Sequence, residues 1–355
     1  MENTDAQPLP LERVAEIKEL ILASFSETVP PALADLLLPK SYFRPLDWAS
    51  MKRSGEKFAG KKWESLTPEF LTKNWSSYCY LSRQGYRYYL PALLMEALHP
   101  ETGHNFRHSV VFSLVPSFWY LYYTSGKDRD FDEQTALFTE GQYKAVAEFL
   151  GLCFDSGPRL KFISAQALRW GWNKVPSPAL DKVTEYYKGL YNYDWPPAKE
   201  PEARALVEII KAAFKDTPAP KRKEMCGTSQ GDEASEYAME FFGQDWRRLH
   251  PEFLDRENAA LSFLAPPAFR YFLPAYLIYD LTDPLSAQGD PVFHLAWNPT
   301  AEEKPEMKEY HRKKFSVFNK QERAAITAYL EYKAAHEPFE PGNIKDSIRL
   351  YWKAK

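Results

Sequence analysis

Three charged positions recur at matching places in the two halves of this 355-residue chain: Glu69 and Glu252, Arg87 and Arg270, Arg169 and Arg349. A guanidinium is always charged and presents a planar fork of donors that matches a carboxylate or phosphate. With Tyr88 and Tyr271 beside them, Arg87 and Arg270 could line an anion pocket in each half. The same residues could instead form Glu–Arg bridges that hold a scaffold together. The structural reading is favoured, because a residue kept in both halves serves what the halves share. The expectation is that Glu69 pairs with Arg87 and Glu252 with Arg270, with Arg169 and Arg349 in similar structural pairs.

Other groupings point to chemistry less strongly. His104 and His108 are four residues apart, which puts two ligands on one helical face, with His99, Glu96 and Glu101 nearby. The second half has no histidine there, so no metal site is expected. Asp128, Asp130 and Asp132 have the spacing of a calcium loop, but its glycine and terminal glutamate do not follow in register. An acidic surface turn is expected. Lys221-Arg222-Lys223 and Arg312-Lys313-Lys314 read as exposed basic faces. No phosphate loop, dinucleotide fingerprint, nucleophile elbow or Cys/His zinc set is found, and no cofactor is expected.

Ser82–Leu98 and Ala265–Leu281 carry the recurring arginines. Trp63–Leu98 aligns without a gap on Trp246–Leu281, at a constant offset of 183 (246 − 63 and 281 − 98). Shared residues include Trp63/Trp246, Leu66/Leu249, Pro68/Pro251, Phe70/Phe253, Leu90/Leu273 and Pro91/Pro274. Apolar residues follow helical spacing in both stretches. Pro91 and Pro274 lie inside, where a proline clashes with the carbonyl four residues back and kinks the helix at about 3 kcal/mol.

The duplication extends further. Leu11–Phe25 matches Glu202–Phe214 as an amphipathic helix, at an offset of 189. Helices are expected at Asp232–Phe242 and, shorter, from about Asp47. Val111–Leu114 matches Val292–Leu295 at an offset of 181, as loop or short strand. Thr139 with Gln142, and Asn319 with Glu322, are capping boxes at helix starts, at an offset of 180. The fold class is therefore mainly α: two tandem, pseudo-symmetric repeats of five or six helices each, with little or no β. Residues 1–10 form a loose tail, 11–175 the first repeat and 201–355 the second. Between them, 176–200 hold Tyr186, Tyr187, Tyr191, Tyr193 and Trp195, which suits a packed linker that fixes the halves.

The pattern W-x-x-L, then F-R-Y-[YF]-L-P-A, then a Thr- or Asn-capped helix, resembles a family of uncharacterised bacterial helical domains, present here in two copies. The resemblance implies a helical, cytosolic, bacterial protein and no catalytic residue.

Net charge is −3 with a pI near 6.2, which argues against a nucleic-acid partner. Three cysteines without a spaced pair suit a reducing, cytoplasmic setting. The longest apolar run, Val110–Tyr123, contains Pro116 and is too short to cross a membrane. Aromatic residues make up 15 %, a surplus that favours interfaces. One run, Phe118-Trp119-Tyr120, has no aromatic residue opposite it in the second repeat, where Pro299-Thr300-Ala301 lead into a charged stretch. The resulting expectation is non-enzymatic binding of a protein partner, with toxin neutralisation as an example. The alternatives are an enzyme or small-ligand site beside Arg87/Tyr88 and Arg270/Tyr271, or a structural module of a larger assembly.

Overall fold

The computed structural model of the protein describes residues 9–26, 30–37, 52–53, 55–117, 129–228, 232–296, 309, 312–336 and 341–353. The chain is mainly helical and divides into two compact units, residues 1–186 and 187–355. Each is described by itself.

In the first unit, α1 (Leu11–Phe25) buries Val14, Ile17, Ile21 and Phe25 along one face. Helix α2 (Pro68–Asn74) starts with Pro68 at a position where no N–H is needed, and the Thr67 hydroxyl accepts from Phe70 N. Helix α3 (Arg83–Ala97) follows, capped by Ser82, whose hydroxyl accepts from Gly85 N at 3.1 Å. Then come α4 (His104–Ser113), α5 (Arg129–Thr135), α6 (Glu140–Phe154) and α7 (Pro158–Trp170). Helix α1 packs on α6 and α3, and α7 packs on α6 and α4. The next helix, α8 (Pro178–Leu190), contains the division between the units.

The second unit holds α9 (Pro201–Phe214), α10 (Glu233–Phe241), α11 (Pro251–Arg256), α12 (Pro266–Thr282), α13 (Pro291–Leu295), α14 (Lys320–His336) and α15 (Pro341–Ser347), of which α9, α11, α12, α13 and α14 match α1, α2, α3, α4 and α6. Helix α9 packs on α12 and α14, as α1 does on α3 and α6. Both internal prolines are buried within unbroken helices.

The duplication persists in backbone detail. Leu37 bridges Leu81, and at the matching place Cys226 bridges Leu264 (226 − 37 = 189, 264 − 81 = 183). Ser82 N donates to Leu36 O and Ala265 N to Met225 O, each at 2.9 Å. Gly60 and Gly243, three residues before the matched tryptophans, have φ of +71° and +81°, a conformation that favours glycine. Trp172 Nε1 donates to Leu114 O at 2.9 Å, and Trp352 Nε1 to Leu295 O at 3.0 Å. In both repeats, then, the last tryptophan ties the C-terminal helical segment to the helix that follows the proline helix.

One expectation changes here. Residues 111–114 and 292–295 are not strands: the first belongs to α4 and its C-cap, the second to α13. Four residues with three apolar side chains fit either structure, and here the helical form presents the Leu114 and Leu295 carbonyls to the tryptophan that follows. Among the described residues no strand forms. The helix expected from about Asp47 lies outside the described residues, apart from helical backbone at 52–53 and 55–56.

Candidate functional site

The matched arginines are not placed as their charges suggested. Arg87 Nε donates to Gln142 Oε1 at 2.9 Å. Arg270 Nε donates to both oxygens of Glu322, at 3.0 and 2.9 Å. Glu69 and Glu252 instead lie exposed in the first turns of α2 and α11, where the helix dipole favours an acid. The partner in each repeat is the third residue of the capping box. Gln142 Oε1 also accepts from Thr139 N, and Glu322 Oε2 from Asn319 N at 2.8 Å. In the second repeat Thr217 Oγ1 adds a bond to Glu322 Oε1 at 2.7 Å. Thr28 matches Thr217 in sequence and lies outside the described residues. One side chain thus closes the helix start and fixes the proline helix to it. Arg169 packs over the Trp170 ring, and Arg349 makes an exposed bond to Asp346.

Tyr88 and Tyr271 are buried, at 3 % and 6 % exposure. Burial pushes both phenols up, opposed by hydrogen bonds from the backbone of Trp63 and Trp246 respectively, with Arg247 also lowering Tyr271. They pack into the scaffold. Phe118, Trp119 and Tyr120 lie outside the described residues.

The histidines do not converge. His99 Nδ1 accepts from Glu101 N, and Glu96 accepts from Thr102 Oγ1. Among the described residues no group of three or more His, Cys, Asp or Glu is arranged to hold a metal ion. In the acidic run, Asp132 pairs with Lys174 and Glu133 with Arg83. Lys314 departs from the exposed basic face expected of it. It is 4 % exposed, its Nζ donates to Leu261 O at 2.9 Å, and it sits 4.0 Å from the Phe269 ring centre. Burial pulls it down to about 8.

Two buried charge clusters in the second repeat were not foreseen. Asp280, on α12, accepts from Tyr329 Oη at 2.7 Å and from Lys333 Nζ at 3.1 Å. The matching first-repeat residues are Ala97, Phe149 and Cys153. There the cation comes from another helix: Arg107, buried on α4, donates to Ala97 O at 2.7 Å. The second cluster joins Glu240 on α10 to Arg256 and Glu257 at the end of α11. Arg256 Nε donates to Glu257 Oε1 at 2.7 Å, and its Nη2 lies 3.6 Å from Glu240 Oε2. Tyr191 Oη donates to Glu240 Oε2 at 3.0 Å. Glu240 and Glu257 are 0 % and 2 % exposed. Burial, reinforced by Glu240 and Glu236 and opposed by Arg256, pushes the Glu257 carboxyl up to about 8. The matching first-repeat positions hold Lys57, Lys73 and Asn74, where Lys57 Nζ donates to Asn74 Oδ1 at 2.9 Å. Aligning the repeats brings out these charge exchanges in sequence, but not their burial.

One matched pair faces outward instead. Phe112 on α4 is 63 % exposed and Phe293 on α13 is 72 % exposed (293 − 112 = 181). Each precedes by two residues the leucine whose carbonyl takes the tryptophan bond. Among the described residues they are the one pair of large apolar side chains exposed at equivalent places in both repeats.

The model of a family of unknown function, DUF6714, matches residues 15–174 and again 202–355. No curated protein and no solved structure matches the chain.

Proposed function

We propose that this chain, which belongs to the DUF6714 family as two tandem copies, acts by binding a protein partner and carries out no chemistry on it. The observation that carries this reading is the exposure of Phe112 and Phe293. Isolated exposed apolar residues are ordinary on a protein surface. A phenylalanine exposed at the same place in both copies is not retained by burial, and aromatic side chains are the usual anchors of protein interfaces. The competing reading, a ligand pocket at Arg87/Tyr88 and Arg270/Tyr271, loses its support. Both guanidinium Nε atoms are engaged by the capping residues, and both tyrosines are packed away. Two cavities of the second repeat, of about 180 and about 560 Å³, have neither Arg270 nor Tyr271 in their walls. The net charge of −3 favours a protein over a nucleic acid as partner. Cys153 is a buried free thiol, which suits a cytoplasmic setting. Toxin neutralisation is one form of this reading, and no feature of the fold singles it out.

Site-specific photocrosslinking tests it. A benzophenone amino acid replaces Phe112 or Phe293 in the full chain, in the cells that make it. A third chain carries it at Leu285, which is 98 % exposed and has no counterpart role. Discrete protein adducts at 112 and 293, absent at 285, are expected. Adducts at none of the three, or equally at all three, would overturn the reading.

A further inference from the structure

The second unit contains a small aromatic slot, and we infer that it binds an alkylated ammonium group. The slot has a volume of about 180 Å³, with Tyr193, Trp195, Pro196, Lys199, Tyr279 and Asp283 in its wall. Drug-sized sites run to about 300–1,000 Å³, so this one admits a head group and not a whole ligand.

The three rings stand in sequence around it. Tyr193 and Trp195 have centroids 5.3 Å apart and planes at 86°, and Trp195 and Tyr279 are 5.8 Å apart at 47°. Rings meeting at such angles present faces from different directions, which is how aromatic sites hold alkylated ammonium ions through cation–π attraction. The surrounding charge has the matching sign. Asp283 is in the wall. Tyr279 Oη donates to Asp255 Oδ2 at 2.7 Å, and a carboxylate on the phenol makes the ring more electron-rich. Lys199 is the opposing cation in the wall, and its side chain is exposed and free to extend into water. Methylation removes the strong hydration that makes a bare ammonium costly to bring against aromatic rings, so the alkylated form is the better match.

The residues that line the slot are not duplicated: Tyr279 matches Glu96 and Asp283 matches Pro100 at the offset of 183, and Tyr193 and Trp195 belong to the linker ahead of the second copy. A scaffold requirement common to both copies therefore does not explain it. This inference is independent of the phenylalanine surface, and either can fail alone.

The test is calorimetric titration of the full chain with choline and with 3,3-dimethylbutan-1-ol, its neutral carbon counterpart. Choline is expected to bind about tenfold more tightly than the alcohol, the size of a desolvated cation–π contribution. Trp195→Ala and, without touching the packing, Asp283→Asn should each weaken choline by about tenfold or less while leaving the alcohol nearly unchanged for Asp283→Asn. Two further arms, trimethyllysine amide and phosphocholine, distinguish a modified side chain from a lipid-type head group as the source of the ammonium. Equal affinity for choline and the alcohol, no heat from choline at tens of millimolar, or choline binding unaffected by both substitutions would each overturn the assignment.

Discussion

Arg270 and Glu322 stand 52 residues apart in the chain and meet through a two-oxygen hydrogen bond from a single Nε. Glu322 is fully buried and already holds the start of its own helix through Asn319 N. In the first repeat Gln142 does both jobs for Arg87 and Thr139. A neutral amide is therefore sufficient for the geometry. Glu322→Gln should cost only about 1 kcal/mol, a typical hydrogen-bond difference. Glu322→Ala strands Arg270 and uncaps the helix, and should cost about 3–5 kcal/mol. Urea denaturation gives both values; equal losses would contradict the shared role.

Asp280 and Lys333 occupy the places of Ala97 and Cys153. Removing one member leaves a buried charge, so Asp280→Ala should cost about 3–5 kcal/mol. The double change Asp280→Ala with Lys333→Met removes both charges and should recover more than half of that loss. Denaturation of the single and double variants checks it, and additive losses would count against the coupling.

The Glu240–Arg256–Glu257 cluster makes stability depend on pH. Glu257 has a folded value of about 8 against an unfolded value near 4.5, so the folded state holds the extra proton between those limits. Its contribution is complete below pH 4.5 and is lost as pH rises through 8. His294 runs the other way. Burial, with Lys314 adding to it, pulls it down to about 4, so its contribution grows between pH 4 and 6.5. The two oppose each other below pH 6.5, and between 6.5 and 8 Glu257 acts without His294. Glu257→Gln should therefore flatten the fall in stability between pH 6.5 and 8. Parallel denaturation curves for variant and parent across that interval would exclude Glu257 as its source.

The tryptophan ties give a matched pair of variants. Trp172→Phe and Trp352→Phe each keep an aromatic ring and remove the donor to a buried carbonyl, at Leu114 or Leu295. Each should lower stability by about 1–3 kcal/mol. Thermal unfolding of the two variants measures it, and a loss in one repeat alone would show that the bond is not a shared element of the fold.

Much of the architecture is legible in sequence because it follows from short-range rules. The span Leu11–Phe25 emerges as α1 from its apolar spacing, and Thr139 with Gln142 forms the capping box that its motif specifies. The duplication is legible because substitutions spared the tryptophans, the prolines and the arginines. Partner choice is not. Glu69 is separated from Arg87 by 18 residues and Gln142 by 55, and no local rule says which of them α3 faces. That choice is made by α1 packing on both α3 and α6, which brings the capped helix alongside the arginine. Burial of Glu240, Glu257 and Lys314 is hidden for the same reason: charged residues read as surface until tertiary neighbours enclose them. Phe112 and Phe293 were aligned from sequence, but in apolar segments with no sign that these two side chains point outward.

The most direct test of the account is the partner affinity of four full-length proteins: the parent, Phe112→Ser/Phe293→Ser, Arg87→Lys/Arg270→Lys, and all four changes together. The partner is the protein crosslinked at positions 112 and 293. The phenylalanine variant is expected to stay folded, within about 0.5 kcal/mol of the parent, and to lose the partner by tenfold or more. The arginine variant is expected to lose stability and keep its affinity. Loss of binding from the arginine change in a folded protein, with binding retained by the serine variant, would place the working surface at the proline helices and contradict the account.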